Sequence, residues 1–114
     1  MTKRKEQRIN KKLMVSFNEN GFDGLGLTQN ISRYGMCVAS EIELPSHQEI
    51  LLSIAVPGEV LNLKGEVIWC KESADKNNTI PESIGIRIVE APPEYLNYVE
   101  FIKYQRRVPG QQNL

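Results

Sequence analysis

The sequence has no hydrophobic run approaching the roughly 18 to 20 residues that cross a bilayer, and its N-terminus lacks the apolar stretch of a secretory signal. Both absences lead to an expected cytoplasmic protein with no membrane insertion. Cysteine is scarce: Cys37 and Cys70 stand far apart with no Cys-x-x-Cys pair, and His47 is the one histidine. A zinc site and a disulfide scaffold are therefore not expected. Both thiols read as small hydrophobes of the core or its edge, and His47, in a polar turn, as exposed. Charge of one sign is not in excess, since 14 basic residues offset 14 acidic ones. That balance argues against a nucleic acid polymer as ligand. So does the shortage of aromatics: Trp69 and four scattered tyrosines do not furnish the stacking groove of a single-strand binder. No nucleophile elbow, no paired catalytic carboxylates and no glycine-rich phosphate loop before a helix occur, so no enzymatic activity and no metal or other cofactor are expected.

What is present is the composition of one ordinary water-soluble domain: 114 residues, 40% apolar and 25% charged. Two separate cores would each fall near the size at which burial alone rarely stabilises a fold. Charge is uneven along the chain, because Lys3, Arg4, Lys5, Arg8, Lys11 and Lys12 precede Leu13 with Glu6 alone opposing them. Residues 1–11 thus read as a flexible basic arm, residues 12–107 as the folded domain, and residues 108–114 as a frayed tail.

Within the domain, short β-rich runs are bounded by turn formers. The expected strands are Leu13–Phe17, Leu25–Ile31, Gly35–Ala39, Ile50–Val56, Val60–Cys70 and Ser83–Glu90. Asn20-Gly21, Asp23-Gly24, Ser32 to Gly35, Pro45-Ser46, Pro57-Gly58 and the polar stretch Ser73 to Glu82 separate them. Short connections make neighbours antiparallel. In the fifth run Val60, Leu61, Leu63, Val67 and Trp69 suggest one apolar face, interrupted at Gly65, where a bulge or bend would let the sheet curl. In the last run Ile84, Ile86 and Ile88 share one side, with Gly85 and Arg87 on the other. After Pro92-Pro93 the period becomes helical, with Leu96, Val99, Phe101 and Ile102 as the apolar positions. Glu94 near the start and Lys103, Arg106 and Arg107 near the end match the helix dipole, and Pro109-Gly110 ends it.

Two features carry recognisable chemistry. Arg4 and Arg8 form an Arg-x-x-x-Arg pair ahead of the first strand, and Asn30-Ile31-Ser32-Arg33-Tyr34-Gly35 forms a turn between the second and third. Both, in this order, would arise by chance in about one chain of this length in a hundred. An arginine fork pairs with phosphate oxygens or the guanine edge, and its face stacks on a purine. Asn30 brings a carboxamide and Ser32 a hydroxyl, while Gly35 accepts backbone angles and close approach that a side chain would forbid. Without the arginines, Asn30 and Ser32 would read simply as partners of turn backbone groups.

These motifs resemble those of the PilZ family. Gly65-Glu66-Val67-Ile68-Trp69 is similar to its Gly-x-Val-x-Trp strand, and Ile84-Gly85-Ile86-Arg87-Ile88 to its Ile-Gly-x-x-Phe strand. The likeness runs from Arg4 to about Ile102, with Ile88 where an aromatic is usual and Asn30 in place of the commoner Asp. It implies an all-β fold, a six-stranded antiparallel β-barrel with a C-terminal α-helix over one opening and a flexible basic N-terminal arm. It also implies a bacterial sensor of cyclic di-GMP, contacted by Arg4, Arg8, Asn30 and Ser32 in a loop shaped by Gly35. The resemblance places Trp69 beside a guanine, although packing against the helix is its ordinary alternative. Lys3 reads either as a solvated charge or as an extra contact associated with an intercalated ligand pair. Binding is expected to fold the arm onto the barrel and create a surface for an unidentified downstream protein in motility, exopolysaccharide or attachment control. The contrasting reading is a PilZ-fold adaptor that binds no nucleotide. The helix face of Leu96, Tyr98, Phe101 and Ile102 is expected either to be used up on the barrel or partly left for a homodimer.

Overall fold

The computed structural model describes residues 8–19, 22–40, 44, 46–71 and 82–107. Lys3, Arg4, most of the basic arm and the 108–114 tail lie outside them. The elements are β1 (Ile9–Asn10), β2 (Met14–Glu19), β3 (Phe22–Ile31), β4 (Gly35–Ser40), β5 (Glu49–Val56), β6 (Glu59–Lys71), β7 (Glu82–Glu90) and α1 (Pro93–Arg107). The strands lie in the order β1-β3-β2-β5-β6-β7-β4, every pair antiparallel, and a further pairing of β3 with β4 closes β2 to β7 into a six-stranded barrel. Closure leaves those strands no free edge.

The six expected strands and the helix all form, each within a few residues of its expected bounds, because alternation of apolar residues dictates which face turns inward. Val15 and Phe17, Ile50, Leu52, Ile54 and Val56, Leu61, Leu63 and Val67, and Ile84 and Ile86 are all buried in one core. Each such side chain contributes on the order of 1.5–3 kcal/mol of burial free energy. Pro57 and Gly58 form the two-residue turn joining β5 to β6.

Three expectations need correction. Ile9 and Asn10 are not part of an unpaired arm: they form β1 against Ile31 and Asn30, and Ile9 is only 5% exposed. The short break before β2 is stapled by buried Thr28, whose hydroxyl accepts from the Leu13 amide at 2.7 Å and donates to the Lys11 carbonyl at 2.6 Å. One apolar side chain, Ile9, within a basic segment gave no periodicity to read.

Trp69 does not continue the apolar row of β6, and Val60 is exposed as well. Val67 faces Ile86 and Trp69 faces Gly85, so Ile68 is an extra residue on β6. That bulge reverses the alternation and sends Trp69 outward, 43% exposed. A second register shift at Lys64/Gly65 falls where the glycine was expected to bend the strand.

On α1 the buried residues are Tyr95, Val99 and Ile102, while Phe101 is 55% exposed. Phe101 and Ile102 are adjacent, so a helix cannot turn both fully inward. The face is chosen by Tyr95, fully buried, whose hydroxyl donates to the Ser32 carbonyl at 2.8 Å. This bond and the burial of α1 into the barrel core tie the helix to the Ser32–Gly35 turn.

Candidate functional site

One row of paired residues crosses five strands: Asn10 on β1, Asn30 on β3, Cys37 on β4, Gly85 on β7 and Trp69 on β6. The neighbouring row, Ile31, Met36, Ile86 and Val67, is buried. By alternation the first row therefore faces outward. Two residues along β4 and β7, and three along the bulged β6, Gly35, Arg87 and Glu66 form the next outward row. Between the two rows lies an open groove of ≈ 430 Å³ lined by, among others, Arg8, Asn30, Tyr34, Gly35, Cys37, Trp69 and Arg87.

Two glycines shape this groove by close approach. A Cβ on Gly85 would lie 2.3 Å from the Trp69 Cε2 atom, so the indole rests flat on the bare backbone of β7. A Cβ on Gly35 would meet the Ile86 carbonyl oxygen at 2.6 Å. The need for glycine at position 35 is thus steric contact between β4 and β7. Unusual backbone angles play no part, for Gly35 does not have a positive φ.

Arg8, just before β1, donates from Nη1 to the Asn30 Oδ1 atom at 2.8 Å. The sequence pair separated by more than twenty residues is thereby joined at the groove. Cys37 lies beside them, with Sγ 3.2 Å from the Gln29 Oε1 atom. Burial pushes its thiol up from the ordinary value, against the smaller opposing pull of the Arg8 charge. Ser32 is 1% exposed and serves the turn: its Oγ accepts from the Tyr34 and Gly35 amides at 3.1 Å each and donates to the Gly35 carbonyl at 3.2 Å.

Of the seven expected site residues, the structure brings Arg8, Asn30, Gly35 and Trp69 to the groove and places Ser32 beneath its rim; Lys3 and Arg4 lie outside the described residues. Cys37, Gly85 and Arg87 were not singled out from the sequence. The alternation of the last strand, which puts Gly85 and Arg87 opposite the isoleucines, is the signal that carries them. A flat exposed indole, a guanidinium and a carboxamide in one shallow groove suit a ligand with both an aromatic base and negative charge.

A closed barrel with a capping helix and a groove beside an Asn-x-Ser-x-x-Gly turn defines the class. The PilZ domain model matches residues 2–103, and the chain belongs to the PilZ family. No curated protein sequence matches it. Among solved structures it is similar to the Bacillus subtilis inhibitor of motility MotI/DgrA, with a TM-score of 0.75 at 16% identity, over 97% of this chain and 54% of that one. It is also similar to the PilZ domain with c-di-GMP of YcgR from Escherichia coli, with a TM-score of 0.69 at 13% identity and 98% of each chain covered. A crystal structure of YcgR from the same organism in complex with c-di-GMP matches with a TM-score of 0.71 at 12% identity, over 96% of this chain. The chain spans about half the length of MotI/DgrA and of that YcgR chain, 54% and 48%. Among the described residues no helix is long and apolar enough to cross a membrane.

Proposed function

We propose that this chain is a cyclic di-GMP receptor whose ligand lies in the groove between Arg8 and Trp69. The observation that carries the reading is the convergence of Arg8, Asn30 and the outward-turned Trp69 in one groove. Trp69 offers a stacking face, Arg8 a fork for phosphate or guanine, and Asn30 a carboxamide for a base edge. Ser32 and Gly35 contribute by holding the turn. Arg4 and Lys3, which lie outside the described residues, are assigned to the cationic side of the same ligand. Membership of the PilZ family and the fold shared with c-di-GMP-bound YcgR support the choice of ligand.

Ligand binding draws the segment around Arg4 onto the barrel and presents a new charged and aromatic surface to a downstream protein in the cytoplasm. Likeness to an inhibitor of motility supports motility control as the first output to examine. A calorimetric titration against cyclic di-GMP, GMP, cyclic AMP and an oligonucleotide tests the reading. Saturable heat with cyclic di-GMP alone is expected. No heat, or equal heat with the oligonucleotide, overturns it.

A further inference from the structure

The groove holds a second described guanidinium. Arg87 faces Gly35 on β4 and Glu66 on β6, and it lines the same groove as Arg8, Asn30 and Trp69. Its Nη2 is bonded to the Glu66 Oε1 atom. The two flanks of this side chain differ. On one side stands a carboxylate, and on the other Gly35, the cross-strand partner on β4, which has no side chain. β7 is pinned to that turn at the next residue, since the Ile88 amide donates to the Tyr34 carbonyl at 2.9 Å. The Arg87 side chain is 58% exposed and that of Glu66 24%, so the cation is the partner more open to an incoming anion.

We propose that Arg87 is an anion anchor of this groove and that Glu66 restrains it, so that the Arg87–Glu66 pair sets how tightly a phosphodiester ligand is held. The inference rests on the receptor reading above and deepens it. An exposed ion pair on a sheet is weak and yields readily to a better partner. A phosphodiester oxygen presented from the Gly35 side takes a fork hydrogen bond from the guanidinium. Glu66 then stands near a dianion with its own charge less compensated, which lowers affinity. Arg8, bonded to Asn30 and lining the same groove, supplies a second cation to the ligand.

The test is a double-mutant cycle measured by calorimetry with cyclic di-GMP, with Arg8→Ala as reference. Arg87→Ala is expected to weaken binding about tenfold, or about 1.4 kcal/mol, and to flatten its salt dependence with an unchanged melting temperature. Glu66→Gln is expected to tighten binding about threefold, a gain that shrinks when Arg87 is already alanine. Arg87→Lys keeps the charge without the fork and is expected to fall between wild type and alanine. Binding lost in Arg8→Ala but unchanged in Arg87→Ala overturns this inference alone, leaving the pair as a cross-strand surface contact. Weaker binding in Glu66→Gln also overturns it, since a supporting rather than restraining carboxylate would then be shown. A wild type that does not bind cyclic di-GMP overturns the receptor reading and this inference together.

Discussion

The two walls of the barrel follow different rules. Along β2, β5 and β6 as far as Lys64 the register runs unbroken, from Val15↔Ile54 to Val56↔Glu59 and Leu51↔Lys64. Inward positions are apolar there, and outward ones are a mixture that includes exposed Met14, Leu51 and Val60. The wall made by β3, β4, β7 and the end of β6 is irregular, with register shifts at Thr28/Asn30, Lys64/Gly65 and Val67/Trp69. The groove lies on this second wall. A regular sheet can only alternate, whereas each extra residue re-aims the side chains beyond it. Irregularity is how the barrel places Asn30 and Trp69 on one outward row while keeping a continuous core beneath.

The contrast can be broken from either side. Ile54→Ala, in the regular wall, is expected to cost about 2–5 kcal/mol of stability by urea unfolding, because Ile54 is fully buried. Ligand affinity of the folded fraction should hold. Arg8→Ala reverses that pattern: cyclic di-GMP binding falls by about 1.5–3 kcal/mol while the melting temperature barely moves. Arg4→Ala is expected to behave likewise. If either substitution unfolded the protein, the separation of core from site would fail.

Gly85→Ala sharpens the comparison, since its Cβ would occupy the place of the Trp69 indole. A stability loss of about 1–3 kcal/mol is expected, with altered tryptophan fluorescence and weaker ligand binding. Retention of wild-type fluorescence and affinity would show that the shelf does not depend on the glycine. Thr28→Val removes the staple between Lys11 and Leu13 and leaves two backbone groups to find other partners. A cost of about 1–2 kcal/mol is expected, with faster amide exchange at Leu13 and a smaller loss of affinity through Arg8.

The smallest effect concerns Cys37. Its thiol is held above the ordinary value by burial, so the folded state favours the protonated form. The stability this contributes is present below the thiol value of the unfolded chain and is lost as pH rises past it. Alkylation of Cys37 in a Cys70→Ser background should therefore be slower in the folded than in the unfolded protein at pH 8, and slower again with ligand bound. Equal rates with and without cyclic di-GMP would place the ligand away from β4.

Much of this molecule was legible in its residues because the determining interactions are local. Six strands, the helix and turns such as Pro57-Gly58 follow from apolar alternation, local breaks and the change of period after Pro93. Asp23-Gly24, expected as a turn, instead pairs with β2 inside β3. The Arg-x-x-x-Arg and Asn-x-Ser-x-x-Gly motifs pointed to Arg8, Asn30 and Gly35, which do meet at one groove. Ser32, expected as a ligand contact, also bonds the backbone groups of its own turn through its hydroxyl, a use that the short motif does not reveal.

By itself, then, the sequence determined the strands, the helix, the inward faces of the regular wall and the position of the motif turn, since each depends on residues a few places apart. Tertiary structure alone decided the rest. The bulge at Ile68 exists because β6 must stay paired with β7 around a closed barrel, and it turns Trp69 from core to surface. Tyr95, not Phe101, faces inward because the Ser32 carbonyl waits across the barrel opening for its hydroxyl. Ile9 joins the core because Ile31 offers it a cross-strand partner far along the chain. In each case the choice rests on a contact between distant segments, and periodicity carries no information about a partner that only folding brings near.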